Sequence, residues 1–402
     1  MSDTPLAEAR AWIAEHHDPA AHRSGAGRRG FLETLVDSGW AAPSWPTGHH
    51  GRGLTAEAAR ATDAAFREAG VEGFAQDVTN LWAGTVVSNG SKELIATHLR
   101  SVMLGDTNMC LLYSEPGAGS DLASVQTRAV RDGDEWIVNG QKVWTSGGRA
   151  ADYAFLIART DSDQPKHRGI TFFFLPMHQE GVEVRPLRQA TGDARFNEVF
   201  LTNARVPHTN ILGELNNGWM VLQNALAYER AAMGSATRRK REQTTEDSVR
   251  SSDSEQGAPN PDLSLIDLAQ TRGVAGDAEI RQRLMRLRAL VQVNEWNGQR
   301  AKAEMKAGSS SSIMSLGKLA MSGILHTAGS LQASILGAEA MLGGDSSPDG
   351  ADATYAMLNA FFTSIGGGTD QIQRNIIGER VLGLPKEPEV DKGVAFKDVR
   401  KS

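Results

Sequence analysis

Two hydrophobic periodicities divide the chain. From the N-terminus to about residue 107, apolar positions recur at helical spacing, as in Phe31, Leu32, Leu35 and Val36, against a background rich in Ala, Glu, Arg and Leu. A turn around Gly39 and a loop through Pro46 interrupt this helical segment. From about Met109 to Val206 the pattern changes to short β-rich runs at 126–130, 136–138, 153–157 and 170–175. Asp132-Gly133 and Asn139-Gly140 stand among these runs as turn signals. After Gly218 the helical period returns and persists to about Gly383, where a glycine followed by Pro385 predicts a helix stop. The expected fold class is α+β, with an N-terminal helical domain over 1–107, a central β domain over 108–214 and a C-terminal helical domain over 215–402. Within the last, residues 238–262 crowd charged and small polar side chains before Gly257-Ala-Pro-Asn-Pro261, too little apolar surface to order themselves. A solvated, mobile loop between two long helices is expected there.

Composition narrows the function classes. A chain of 402 residues exceeds what one hydrophobic core usually supports, so two or three domains are expected. The net charge of −6, with both signs scattered, argues against a nucleic-acid partner. The single cysteine, Cys110, excludes an internal disulfide framework and fits a reducing compartment as a buried, inert thiol. No leader-like N-terminus and no run of about 18 apolar residues is seen, so a cytoplasmic protein without a membrane span is expected. The histidines lack metal-ligand spacing, and no metal is predicted.

Four stretches carry candidate chemistry. Ser114-Glu-Pro-Gly-Ala-Gly-Ser-Asp121 combines glycines and small hydroxyls, so its backbone can approach a flat ligand, although a surface turn has the same composition. Lys142-Val-Trp-Thr-Ser146 puts an indole and two hydroxyls at a strand end; by itself such a Trp144 is more often a core residue than a cofactor wall. Gly366-Gly-Gly-Thr-Asp-Gln-Ile-Gln-Arg374 places a glycine-rich loop before a helix start with unpaired N–H groups. No Lys-Ser/Thr follows it, which speaks against a triphosphate cradle. Finally, Glu229 projects from a helical stripe formed by Leu222, Ala225, Leu226, Ala232 and Met233. A carboxylate there needs either an ion-pair partner or a catalytic role, and the pattern alone leaves both open.

Taken in order with Phe196-Asn-Glu-Val-Phe200, Val206-Pro207 and Gly218-Trp219, these motifs resemble the acyl-CoA dehydrogenase family over nearly the whole chain. The C-terminal stretch resembles the bacterial branch that acts on sterol side chains and other bulky CoA esters. The resemblance implies an N-terminal helical domain, a central β-barrel domain and a C-terminal four-helix bundle. It implies FAD as cofactor, an acyl-CoA substrate, an electron-transfer flavoprotein as electron acceptor, and a homo- or hetero-oligomer arranged as a dimer of dimers. Leu111, Tyr113, Ser114, Gly119 and Ser120 would line the isoalloxazine and the start of the thioester, with Ser114 donating to the flavin pyrimidine. Trp144 would cover the flavin edge, Ser146 would lie near its reactive nitrogen, and Thr369 and Gln371 would contact the cofactor. Arg272 is the match for an arginine that binds the FAD pyrophosphate of a neighbouring subunit, although the usual Phe-Gly does not follow it. The family's commonest form has a glutamate as base where this chain has Gly367, whose N–H would still bond the thioester carbonyl. One branch carries the base on the earlier helix, at the position matched by Glu229, with Arg230 beside it contacting CoA or buttressing the helix. The implied reaction is α,β-dehydrogenation of a bulky or branched acyl-CoA to the trans-2-enoyl-CoA. A non-catalytic structural subunit of a mixed tetramer and an acyl-CoA oxidase are the alternatives.

Overall fold

The computed structural model describes residues 4–22, 25–71, 81–235, 261–306, 314–344 and 347–399; for 227–235 it describes the backbone but not the side chains. The chain forms two compact units, one of Met1–Leu187, Phe196–Ser235 and Asp391–Ser402, the other of Arg188–Arg195 and Ala236–Val390.

The first unit opens with five helices: α1 (Thr4–His16), α2 (Gly25–Asp37), α3 (Ala56–Glu68), α4 (Leu81–Asn89) and α5 (Lys92–Leu104). Thr55 and Ser91 cap α3 and α5 by accepting from the N–H groups of Ala58 and Leu94, each three residues on. The stripe of α2 splits as its spacing requires. Phe31 and Leu35 join Ala9, Trp40 and Phe66 in one small core, while Leu32 and Val36 pack with α4 and α5 in the core against the sheet.

Eight strands follow: β1 (Met109–Leu112), β2 (Arg128–Asp132), β3 (Glu135–Ser146), β4 (Tyr153–Arg159), β5 (Ile170–Pro176), β6 (Val182–Leu187), β7 (Phe196–Pro207) and β8 (Ile211–Leu212). They form one sheet ordered β6-β7-β3-β2-β4-β5-β8, with β1 added in parallel to β4. Side-chain alternation separates two cores across this sheet. Phe155, Ile157, Phe172 and Phe174 face the helices. Ala154, Leu156, Phe173 and Leu175 share the opposite core with Val138, Val199, Leu201 and Val206 of β3 and β7. The sheet therefore wraps around a shared interior, as a barrel-like domain would. It does not close among the described residues, because the terminal strands β6 and β8 are not paired to each other and β8 has only two residues.

Of the two turn signals, Asp132-Gly133 is a hairpin, with Asp132 opposite Glu135 and Gly133 at φ +61°. Asn139-Gly140 is not a turn. It lies within β3, where the register against β7 shifts between Val138 and Gly140, a bulge. A Cβ on Gly140 would stand 2.4 Å from Thr127 Oγ1 and 2.7 Å from Thr127 Cα, so the glycine serves close backbone approach rather than chain reversal.

Helix α6 (Gly218–Ser235) ends the first unit's long helices, and Val221 and Leu222 are buried in the core that faces the sheet. The second unit is helical: α7 (Pro261–Thr271), α8 (Ala278–Lys306), α9 (Met314–Leu336), α10 (Pro348–Ile365) and α11 (Asp370–Ile376). Leu265 and Ala269 of α7, Leu284, Leu287 and Val291 of α8, and Ile324, Leu331 and Ile335 of α9 form its core. The loop expected over 238–262 lies outside the described residues except at the start of α7.

Candidate functional site

In the first unit, the segment from Leu111 to Glu115 lies against the far end of β3 and is fastened at four points. Val143 N–H donates to Ser114 O at 3.0 Å, and Thr145 Oγ1 donates to Leu111 O at 3.2 Å. The Lys142 ammonium donates to Tyr113 O at 3.0 Å and to Glu115 Oε1 at 2.8 Å. The Glu115 carboxylate also accepts from the N–H groups of Gln126 and Thr127, at 2.7 and 2.9 Å. Lys142 is fully buried and Glu115 is 8% exposed. Burial pushes the carboxyl up, but Lys142 and the N–H donors outweigh it and hold Glu115 below its usual range. Burial lowers the Lys142 ammonium while Glu115 opposes that shift. This pair fastens the Ser-Glu-Pro loop to the Lys-Val-Trp strand end. Neither motif marks this pair by itself, although strand parity carries a signal: Trp136 and Val138 point inward, and the same alternation continues to Lys142.

Trp144 occupies the end of that strand in an unusual way. The β3–β7 register shifts between Lys142 and Thr145, and Trp144 has φ +64°, left-handed for a bulky residue. The bulge lets Val143 and Thr145 both turn inward and aims the indole out, 57% exposed, edge-on to Phe196 at 5.8 Å. Trp144 is therefore not a core residue, and strain of this kind at a surface aromatic points to a ligand-facing role. Of the other candidate residues in the two motifs, Leu111 and Ser114 are half-buried, Tyr113 is buried, and Gly119, Ser120 and Ser146 are exposed. Nothing stands within 4 Å of a Cβ placed on Gly117 or Gly119, so the loop backbone is open to a ligand. An outward indole, half-buried and exposed hydroxyls and accessible backbone fit a flat, polar-edged ring system such as isoalloxazine.

On α6, Leu222 and Ala225 are fully buried, in keeping with the stripe that leads to Glu229. Glu229 and Arg230 lie on this helix, and their side chains are outside the described residues.

In the second unit, Gly367, Thr369 and Gln371 lie together where α10 passes into α11. Gly367 has φ +63° and Gly368 φ +87°, and the Gln373 amide donates to Gly367 O at 3.2 Å. Thr369 caps α11 by accepting from Ile372 N–H at 3.2 Å, and Gln371 is exposed. The expected long helix here has only seven residues before a π-helical turn, Ile377–Val381, which ends near Gly383. Arg272 directly follows α7. Its guanidinium is forked between Glu339, at 2.7 and 3.2 Å, and Asp349, at 2.5 Å. Two carboxylates of the same unit thus share its charge.

The comparisons with known proteins agree with the motif order. The acyl-CoA dehydrogenase middle domain matches residues 110–204, and the acyl-CoA dehydrogenase C-terminal domain matches residues 263–382. Acyl-CoA dehydrogenase FadE34 of Mycobacterium tuberculosis is 36% identical over 88% of this chain, a match that spans only 46% of FadE34. Acyl-CoA dehydrogenase IpdE1 of the same organism is 34% identical over 90% of this chain and 89% of its own length. Among solved structures, the Tcur3481-Tcur3483 steroid ACAD superposes with a TM-score of 0.67 at 25% identity, covering 96% of this chain and 99% of that one. The order of helices, sheet and helices and these matches place the chain in the acyl-CoA dehydrogenase family, oxidoreductases whose cofactor is FAD.

Proposed function

We propose that the chain catalyses α,β-dehydrogenation of a bulky or branched acyl-CoA to its trans-2-enoyl-CoA. The observation that carries this reading is the bulge that turns Trp144 outward beside Ser114, on a strand end fastened to the loop leading to Ser120. Leu111, Tyr113, Ser114, Gly119, Ser120, Trp144 and Ser146 would hold the flavin and the head of the thioester, and Thr369 and Gln371 are further flavin contacts implied by the family resemblance. When bound, FAD supplies the acceptor for the hydride that leaves the β-carbon. Glu229 takes the α-proton as general base. The Gly367 N–H donates to the thioester carbonyl and stabilises the negative charge that grows there as the proton leaves, a preorganised donor of a kind that contributes about 3 kcal/mol. A glycine at 367 leaves room beside the acyl chain, which suits a branched or ring-bearing group. The steroid substrate named for the Tcur3481-Tcur3483 relative supports the same size class. Reducing equivalents would pass to an electron-transfer flavoprotein.

The test is the visible spectrum of the purified chain, followed anaerobically with straight, branched and steroid acyl-CoAs. Bleaching of the flavin band by the bulky esters supports the proposal; a flavin-loaded chain that none of them bleaches refutes it. The Arg272 fork favours a second reading, in which this chain completes no neighbour's FAD site and works in a mixed oligomer. That reading predicts less than one flavin per chain in the protein purified alone, restored by co-expression with a partner subunit.

A further inference from the structure

After Val390 the chain leaves the helical unit and rejoins the first unit, where its last described residues lie on the loop between β4 and β5. Neither family-domain match reaches them. Phe396 N–H donates to Gln164 O at 2.9 Å, Lys397 N–H donates to Ser162 O at 3.0 Å, and Ala395 bridges Pro165. Phe396 is 8% exposed, and its ring lies under the Arg159 guanidinium, 3.8 Å from the ring centroid.

Arg159 in turn ties two loops together. Its Nη1 donates to Lys166 O and Arg168 O, at 2.9 and 3.0 Å, and its Nη2 donates to Ala123 O and Val125 O, at 2.6 and 3.5 Å. Ala123 and Val125 belong to the stretch that continues directly from Gly119-Ser120. Lys166 makes a second tie, with its ammonium 3.3 Å from Asp121 and 2.9 Å from Asp391. The terminal segment thus covers the arginine that anchors the far side of the Ser120 loop. Its aromatic ring keeps water from the guanidinium, where each hydrogen bond to a carbonyl is stronger for being dry.

We propose that residues 391–399 are a strap that positions the Ser120 loop through Arg159 and Lys166, and so sets the affinity for acyl-CoA. Phe396 and Asp391 are positioning residues on this view; neither touches substrate. The proposal rests on the reading of Ser120 as a contact for the thioester.

The experiment compares the full-length holoenzyme with Phe396→Ala, Phe396→Tyr and Asp391→Asn. Two readouts are taken: hydrogen exchange of the amides in 119–127, and KM against kcat for an acyl-CoA that bleaches the wild type. Phe396→Ala should raise exchange in 119–127 and KM by about fivefold each, with kcat within about twofold, the scale of one lost cation–π contact. Phe396→Tyr keeps the ring and should restore both. Asp391→Asn, which leaves the ring in place, should give a smaller change in the same direction and serves if Phe396→Ala folds poorly. Unchanged exchange in 119–127 for both Phe396→Ala and Asp391→Asn overturns the strap. Faster exchange with an unchanged KM overturns its link to acyl-CoA binding. The exchange readout is independent of turnover, so a chain inactive on every ester would fail the proposed reaction while the strap is still decided.

Discussion

Lys142 and Glu115 form an ion pair 2.8 Å long in which the lysine has no exposed surface at all. The two residues come from the Ser-Glu-Pro and Lys-Val-Trp motifs, so a single buried contact couples the segment of Ser114 to that of Trp144. Desolvating two charges is costly, and such a pair holds a structure in register more reliably than it adds net stability. Removing one partner leaves an uncompensated buried charge.

Lys142→Met alone is therefore expected to lower unfolding free energy by about 3–5 kcal/mol. The double variant Lys142→Met/Glu115→Gln should recover a large part of that loss, since no bare charge remains. Urea denaturation of the two variants and the wild type measures the difference. A double variant no better than the single one would contradict the pairing.

The same pair sets an acid limb. The folded Glu115 carboxyl is held below its ordinary value, so its stabilising contribution is fully present above the unfolded value of about 4.3. It is lost as pH falls through the lower folded value. Thermal melts of wild type and Glu115→Gln between pH 3 and 7 should converge on the acid side, with the wild type losing its advantage only below about pH 4.

Glu229→Gln should slow anaerobic flavin bleaching by about 10²–10⁴-fold, because an amide has no basic site for the α-proton. Flavin content and Tm should stay at wild-type levels. Stopped-flow absorbance of the reconstituted variant gives the rate, and a near-normal rate would require another base.

Gly367→Ala puts a side chain on a backbone at φ +63° with open space around it. Strain of about 1 kcal/mol is expected from the left-handed conformation, without a clash. Because the Gly367 N–H is the proposed carbonyl donor, kcat should fall further than this small stability loss explains. Steady-state kinetics beside a denaturation curve separates the two effects.

Gly140→Ala tests the close approach of Thr127 to β3. The new methyl would meet Thr127 backbone and side chain well inside contact distance, so a loss of about 1–3 kcal/mol is expected even though a solvent-exposed Asn-Gly turn would tolerate the change easily. Chemical denaturation decides between these two views of the same dipeptide.

The amphipathic stripe of α2, the β runs and the order of helices, sheet and helices follow from local periodicity, because each element must bury one face of its own. The motif order was likewise legible, since the residues of each motif are close in sequence. Other features depend on partners that are distant along the chain. Asn139-Gly140 stayed in a strand whose glycine Thr127 crowds, and Arg272 became an ion-pair fork because Glu339 and Asp349 meet it. Lys142 lost its solvent because Glu115 and the Tyr113 carbonyl were brought to it, and Phe396 found Arg159 only when the chain returned to its first unit. Sequence alone determined the main helical and β segments and their order through local spacing, and the family through the order of its motifs. Tertiary structure decided which charges are compensated and which backbone is strained, since both are set by neighbours that only the fold brings within a few ångströms.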